Sequence, residues 1–166
     1  MTSAFPINRR NGAIYPVVQN MLAGIAAGLA IGAVAWAQGS GTDAAKQLFA
    51  QYVALEQAYD QSIADLYADD ALIKTRRKAP MGEAREVTIP APKYKTMLRE
   101  LAPVAKARGD RSTYSDVTYT PEGDLVRINA WRFFGSKKAP SPISLQVGRS
   151  PGGQWLIYEE VSESEQ

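Results

Sequence analysis

The sequence contains no cysteine and no histidine in 166 residues. The first absence excludes disulfides and thiolate metal sites. The second removes the commonest general base, the commonest metal ligand and every Ser-His or Cys-His arrangement. An excess of one charge is missing too. There are 19 basic and 17 acidic residues, but residues 1–37 hold Arg9 and Arg10 and no acid, so the remainder balances at 17 of each. A neutral body gives no electrostatic case for nucleic acid. Apolar content of 45% and charge content of 22% are ordinary, which argues against disorder over the whole length.

What the chain does carry, first, is a leader. Arg9-Arg10 precedes an uncharged apolar run, Met21 to Ala37, that ends in Ala35-Trp36-Ala37. A basic head, an apolar middle and a small-residue exit predict a secretory signal, cleaved near Ala37/Gln38. The domain behind it is then secreted or periplasmic. The alternative is an uncleaved single-pass anchor with the domain outside the cytoplasm. The run of 17 residues falls short of the roughly 20 that span lipid, yet Gly24, Gly28 and Gly32 form overlapping GxxxG steps that suit packed membrane helices. Contact with a membrane is expected only through this leader. The organisation is therefore leader 1–37, linker 38–42, one domain 43–162 and an acidic tail 163–166.

Within the domain, Leu48, Phe49, Tyr52, Leu55 and Tyr59 follow helical spacing with one apolar stripe, and Thr42 or Asp43 can cap the start. A second short helix covers Ile63–Tyr67, closed by Asp69-Asp70. Ala71–Lys78 and Arg85–Ile89 pair as strands around Pro80-Met81-Gly82. A third helix follows Pro90, with Tyr94, Met97, Leu98, Leu101 and Ala105 as its stripe and Pro103 as its kink or end. The last third is β: Ser112–Thr120, Leu125–Phe134, Ile143–Arg149 and Trp155–Val161, separated by turns at Pro121-Glu122-Gly123-Asp124 and Pro151-Gly152-Gly153. Helices grouped early and strands grouped late give an α+β class rather than a doubly wound parallel sheet.

This order resembles the nuclear transport factor 2-like superfamily, which includes SnoaL-like and ketosteroid isomerase-like proteins. Ile63-Ala64-Asp65-Leu66-Tyr67-Ala68-Asp69-Asp70-Ala71 looks like the family's second helix entering its first strand. Gly123-Asp124-Leu125-Val126 looks like the turn before its central strand, and Gly153-Gln154-Trp155-Leu156-Ile157 like its last strand. The resemblance implies a cone, a curved antiparallel sheet packed on three N-terminal helices around a pocket. It also implies a homodimer through the sheet, as many members form. It implies no single activity, since the fold hosts isomerases, cyclases, dehydratases and simple binders.

The pocket walls of such a cone come from alternate strand residues. On Leu125–Phe134 one face holds Arg127, Asn129, Trp131 and Phe133, mixing aromatic and polar groups as a ligand wall or a dimer face would; the other holds Val126, Ile128, Ala130, Arg132 and Phe134. The sequence does not assign these faces. Tyr52 and Tyr59 join the first set as candidate ligand contacts. Glu159 shares strand parity with Trp155, Ile157 and Val161, which points it inward, where burial would raise its pKa unless Arg127 or Arg132 pairs with it. Glu159 is the leading acid/base candidate and Asp60, beside the helix junction, the second. The plainer readings are an ion pair for Glu159 and a helix cap for Asp60. No carboxylate cluster has a supporting third ligand, so no metal and no other cofactor is expected.

Three functions follow as expectations. The first is an exported domain whose pocket binds a small apolar or amphipathic ligand, or that acts as an interaction module. The second is an isomerase, cyclase or dehydratase using a pocket carboxylate and a Tyr. The third is a membrane-anchored structural partner.

Overall fold

The computed structural model describes residues 41–78, 85–135 and 139–165. The leader, the linker up to Ser40, the first hairpin turn and the tip around Lys137 lie outside the described residues. No described helix is long and apolar enough to cross a membrane.

Helix α1, Gly41–Ala58, buries Ala45, Leu48, Phe49 and Tyr52. This is the i, i+3, i+4, i+7 stripe of an amphipathic helix. It stops at Tyr59, whose φ of 56° is left-handed. There the Tyr59 and Asp60 amides donate to the carbonyls of Glu56 and Leu55, a Schellman closure. Helix α2, Ala91–Arg108, ends in the same way, with Gly109 in the left-handed position. Glycine takes that conformation freely, whereas a side-chain-bearing residue is strained. Tyr59→Gly should therefore be more stable than Tyr59→Ala by about 1–2 kcal/mol. Urea unfolding of the two variants measures the difference, and equal stability would mean that Tyr59 carries no strain.

Between the helices a 3-10 turn, Gln61–Leu66, begins at Asp60, whose carboxylate accepts from the Ser62 amide at 2.8 Å. The turn thus replaces a second helix running to Tyr67. Strand β1, Tyr67–Lys78, already includes Asp69 and Asp70. Helix α2 is stitched to this junction by Lys95, which donates to the Asp69 carboxylate at 2.7 Å and to the Tyr67 carbonyl at 3.1 Å, and by Arg99, which donates to Asp65 at 2.7 Å. Pro103 neither ends nor caps α2, since five further residues stay helical.

The remaining strands are β2 Arg85–Pro90, β3 Ser112–Glu122, β4 Leu125–Phe134, β5 Ser141–Arg149 and β6 Trp155–Glu165. They form one curved, open sheet in the order β2-β1-β6-β5-β4-β3. The expected antiparallel sheet is in fact mixed. The first and last long strands, β1 and β6, lie side by side and run parallel, while every other pairing is antiparallel. The reason is topological: α2 and the β3–β5 meander intervene, so β6 returns beside β1 in the same direction. β6 also carries the chain through residues 163–165, where a tail was expected.

Two one-residue irregularities decide which side chains face the helices. On β6, Ile157 lies opposite Val147 but Glu159 lies opposite Gln146, so Tyr158 is an extra residue. On β3, Ser115 and Thr118 lie opposite Trp131 and Asn129, and the extra residue sits at Asp116, whose φ is 52°. A bulge of this kind reverses the alternation of every later residue. Ser112 and Tyr114 thus face inward before the β3 bulge, and Val117 and Tyr119 after it. β4 is regular and turns Val126, Ile128 and Ala130 into the core.

Candidate functional site

The concave face of the sheet meets the facing stripes of α1 and α2 and leaves a cavity of about 210 Å³. α1 contributes Tyr52, Leu55 and Glu56, and the chain beyond it Tyr59, Asp60 and Ile63. α2 contributes Tyr94, Leu98, Leu101, Ala102 and Ala105, and β4 contributes Arg132 and Phe134. The α2 spacing of four, three, one and three puts all five of its residues on one side of the helix. Leu101 and Phe134 remain partly open to solvent, which makes the mouth apolar.

Behind the cavity lies a buried polar group. Glu160 is 1% exposed and accepts from the hydroxyl of Tyr67, also 1% exposed, and from that of Tyr94 at 3.0 Å. The Tyr67 and Tyr94 rings meet edge to face at 5.3 Å. Burial pushes the Glu160 carboxyl above its ordinary value, although the Tyr67 hydroxyl, the Arg132 charge and the Tyr94 hydroxyl pull it back down. Burial also raises the phenols of Tyr52, Tyr67, Tyr94 and Tyr114, so all four stay neutral near pH 7. A second carboxylate, Glu56, accepts from Ser112 at 2.7 Å and from Tyr114 at 2.5 Å, tying α1 to β3.

Arg132 differs from both. It sits on the inward face of β4, opposite Tyr114 of β3 and Ser141 of β5. No hydrogen bond or ion pair with a described residue holds its guanidinium, and its Nε is sealed from solvent without an acceptor. A buried polar atom left unpaired is uncommon and costs about 1–3 kcal/mol.

The sequence candidates distribute over two faces. Tyr52 and Tyr59 line the cavity, Tyr52 deeply and Tyr59 near Arg111, which donates to its hydroxyl at 3.2 Å. Asp60 also lines it, with one oxygen engaged by the Ser62 amide that lowers its pKa. Arg127, Asn129, Trp131 and Phe133 lie on the outer face, away from the helices. There Asn129 and Trp131 border a shallow cleft with Arg76, Asp116 and Ser144.

The inward orientation expected of Glu159 is corrected. The Tyr158 bulge separates it from Ile157, so Ile157 is buried while Glu159 emerges on the outer face. There it pairs with Arg127 at 2.6 Å and Lys74 at 3.4 Å. Arg127 is the leading cause that holds its carboxyl below the ordinary value. The pair is largely buried, its side chains 21% and 19% exposed, so Glu159→Gln, which removes the charge and keeps one acceptor, should cost about 1–3 kcal/mol. That stability is present above the ordinary carboxyl range and is lost as the pH falls through the lowered value, which acid titration of both proteins would show.

The residues that sequence reasoning missed as site members are Arg132, Glu160, Glu56, Tyr94, Tyr67 and Tyr114. Arg132 had a signal: it continues the parity of Val126, Ile128 and Ala130, so an aliphatic core face ends in a cation. Glu160 had none, because its orientation depends on the bulge.

No protein-family model matches the sequence, and no curated protein matches it. Solved structures do. One is a nuclear transport factor 2-like protein of unknown function from Pseudomonas putida, superposed over 74% of this chain and 85% of its own with a TM-score of 0.56 at 16% identity. The chain has the nuclear transport factor 2-like fold. A second neighbour is the β subunit of a candidate aromatic-ring-hydroxylating dioxygenase from Novosphingobium aromaticivorans, with TM-score 0.53, 15% identity and coverage of 75% and 89%. A third, from Streptomyces avermitilis, is a nuclear transport factor 2-like family protein named as a candidate dehydratase, with TM-score 0.51, 10% identity and coverage of 74% and 94%. At these identities the likeness concerns the fold, which a protein of unknown function, a candidate dioxygenase subunit and a candidate dehydratase share.

Proposed function

We propose that the domain is a binding module for a small amphipathic molecule, working outside the cytoplasm. The observation that carries the binding part is the cavity under α1 and α2, with largely apolar walls, three acids (Glu56, Asp60 and Asp110) on its border and one cation, Arg132, at its sheet side. Apolar walls with a few placed polar groups are the usual make-up of ligand sites. The volume of about 210 Å³ lies below the roughly 300–1,000 Å³ of drug-sized pockets, which favours a small ligand. The leader, with Ala35-Trp36-Ala37 at its end, supports the export part.

The enzyme reading is favoured by one feature, a buried carboxylate beside tyrosines. Glu160, however, lies behind Tyr94 rather than among the residues lining the cavity, and both its oxygens accept from tyrosines. A general base needs a reactant within hydrogen-bond reach. Asp60 serves as a cap, and Glu56, which also lines the cavity, has both oxygens occupied by the hydroxyls of Ser112 and Tyr114. Binding therefore fits the geometry better than proton transfer.

Native mass spectrometry of the protein taken from its own host tests the proposal, followed by thermal shift with a panel of small acids, amides and alcohols. The expected result is an added mass that leaves on denaturation, or a rise in Tm with one chemical class. A bare mass and no shift across the panel would overturn the binding reading. The same spectrum reports whether the chain starts at Gln38, and an intact leader would replace export by cleavage with anchoring.

A further inference from the structure

We infer that the ligand of this cavity is a small monocarboxylic acid with an apolar body, its head group paired with Arg132. The inference rests on the binding reading and names the chemistry that the site lacks.

Arg132 is a permanent cation with five donors and no acceptor. Arg132 is half-buried, with its Nε sealed from solvent, and a cation partly withdrawn from water gains from a counter-charge. Two acids on the inner side of the sheet, Glu160 and Glu56, have their oxygens engaged by hydroxyls. Glu160 turns its oxygens to Tyr67 and Tyr94, and Glu56 turns its own to Ser112 and Tyr114. Neither forms an ion pair with Arg132 among the described residues, although Glu56 lines the same cavity and the Glu160 charge acts on Arg132. Four hydroxyls hold the two acids off the guanidinium. Among the described residues, Arg132 thus borders the cavity with no ion-pair or hydrogen-bond partner, only the more distant charge of Glu160.

The shape of the missing partner follows from the rest of the lining. A carboxylate matches the planar guanidinium with parallel hydrogen bonds. The walls beyond it, Leu55, Ile63, Leu98, Leu101, Ala102 and Ala105, offer hydrocarbon and no donor from their side chains. Glu56, Asp60 and Asp110 also border the cavity and add negative charge. They disfavour a doubly charged head such as phosphate more than a single carboxylate, because like-charge repulsion scales with the charge. The small volume sets the body at a short aliphatic chain or one ring.

Isothermal titration of the full chain with hexanoate and benzoate, and with hexanamide and benzamide as neutral isosteres, tests the inference. One acid should bind, its amide at least about tenfold more weakly. Arg132→Gln should weaken the acid by about tenfold or more and leave the amide unchanged, while Arg132→Lys should restore part of the loss. Glu159→Gln, on the outer face, should bind like the parent. An amide that binds as tightly as its acid, or an Arg132→Gln protein of native circular dichroism that keeps the acid's affinity, would overturn the carboxylate assignment and leave the cavity as a neutral-ligand site. Should Arg132→Gln not fold, the acid-to-amide ratio in the parent decides alone. If neither acids nor amides bind, the assignment falls, and the binding reading falls with it only when the wider thermal-shift panel is also silent.

Discussion

Glu160→Ala should destabilise the protein by about 2–6 kcal/mol, the cost of leaving two buried hydroxyls without an acceptor. Two hydroxyls, those of Tyr67 and Tyr94, would lose their common acceptor in a place where water does not replace it. Each unsatisfied hydroxyl costs about 1–3 kcal/mol. Glu160→Gln should lose far less, because its carbonyl oxygen accepts from one tyrosine and its amide donates to the other once that hydroxyl rotates. The two variants also separate charge from hydrogen bonding. Burial raises the native Glu160 carboxyl above its unfolded value near 4.5. Stability from this site is then complete below that value and declines as the pH rises through the raised one. Glu160→Gln has no proton to lose and should show no such decline. Urea midpoints of the three proteins across pH 4 to 9 (a range about the ordinary carboxyl pKa) measure both effects. A Glu160→Ala protein as stable as the Gln variant would mean that the tyrosines find other acceptors.

Arg132→Met should move stability the other way, upward by about 1–3 kcal/mol, the cost of a buried donor without a partner. Methionine fills much of the same space with flexible apolar atoms. The same change should abolish the preference for carboxylates. A gain in Tm together with a loss of binding is the pattern of a group kept for function at the expense of the fold. A loss of stability would instead show that attraction to Glu160 outweighs the unpaired Nε, and that Arg132 is structural.

How much of this was visible in the sequence depends on periodicity. The helices were legible because Leu48, Phe49 and Tyr52, and again Tyr94 and Leu98, keep one phase over several turns. The class and the strand positions followed from turn residues at regular spacing. The regular strand β4 gave its two faces correctly as sets but not their orientation. Only the helices, packed on Val126 and Ile128, fix that. Strand β6 misled because the two-residue period fails at Tyr158, and a bulge has no strong local signature: neither Gly nor Pro marks it. The error moved the inward acid by one position, from Glu159 to Glu160. The parallel pairing of β1 with β6 was equally hidden, since no local pattern distinguishes a strand that returns beside the first from one that continues a meander.

That pairing has a consequence for how the chain is made. β6, which follows the other described strands in the chain, sits inside the sheet, between β1 and β5, and brings Ile157, Glu160 and Ser162 to the core. Its bond from Tyr67 to Glu160 closes a separation of 93 residues. Until β6 leaves the ribosome, β1 and β5 each lack a neighbour, and Tyr67 and Tyr94 lack their acceptor. Contacts this distant in sequence form late and slowly. The nascent domain should therefore stay open and sensitive to protease until β6 is free of the ribosome.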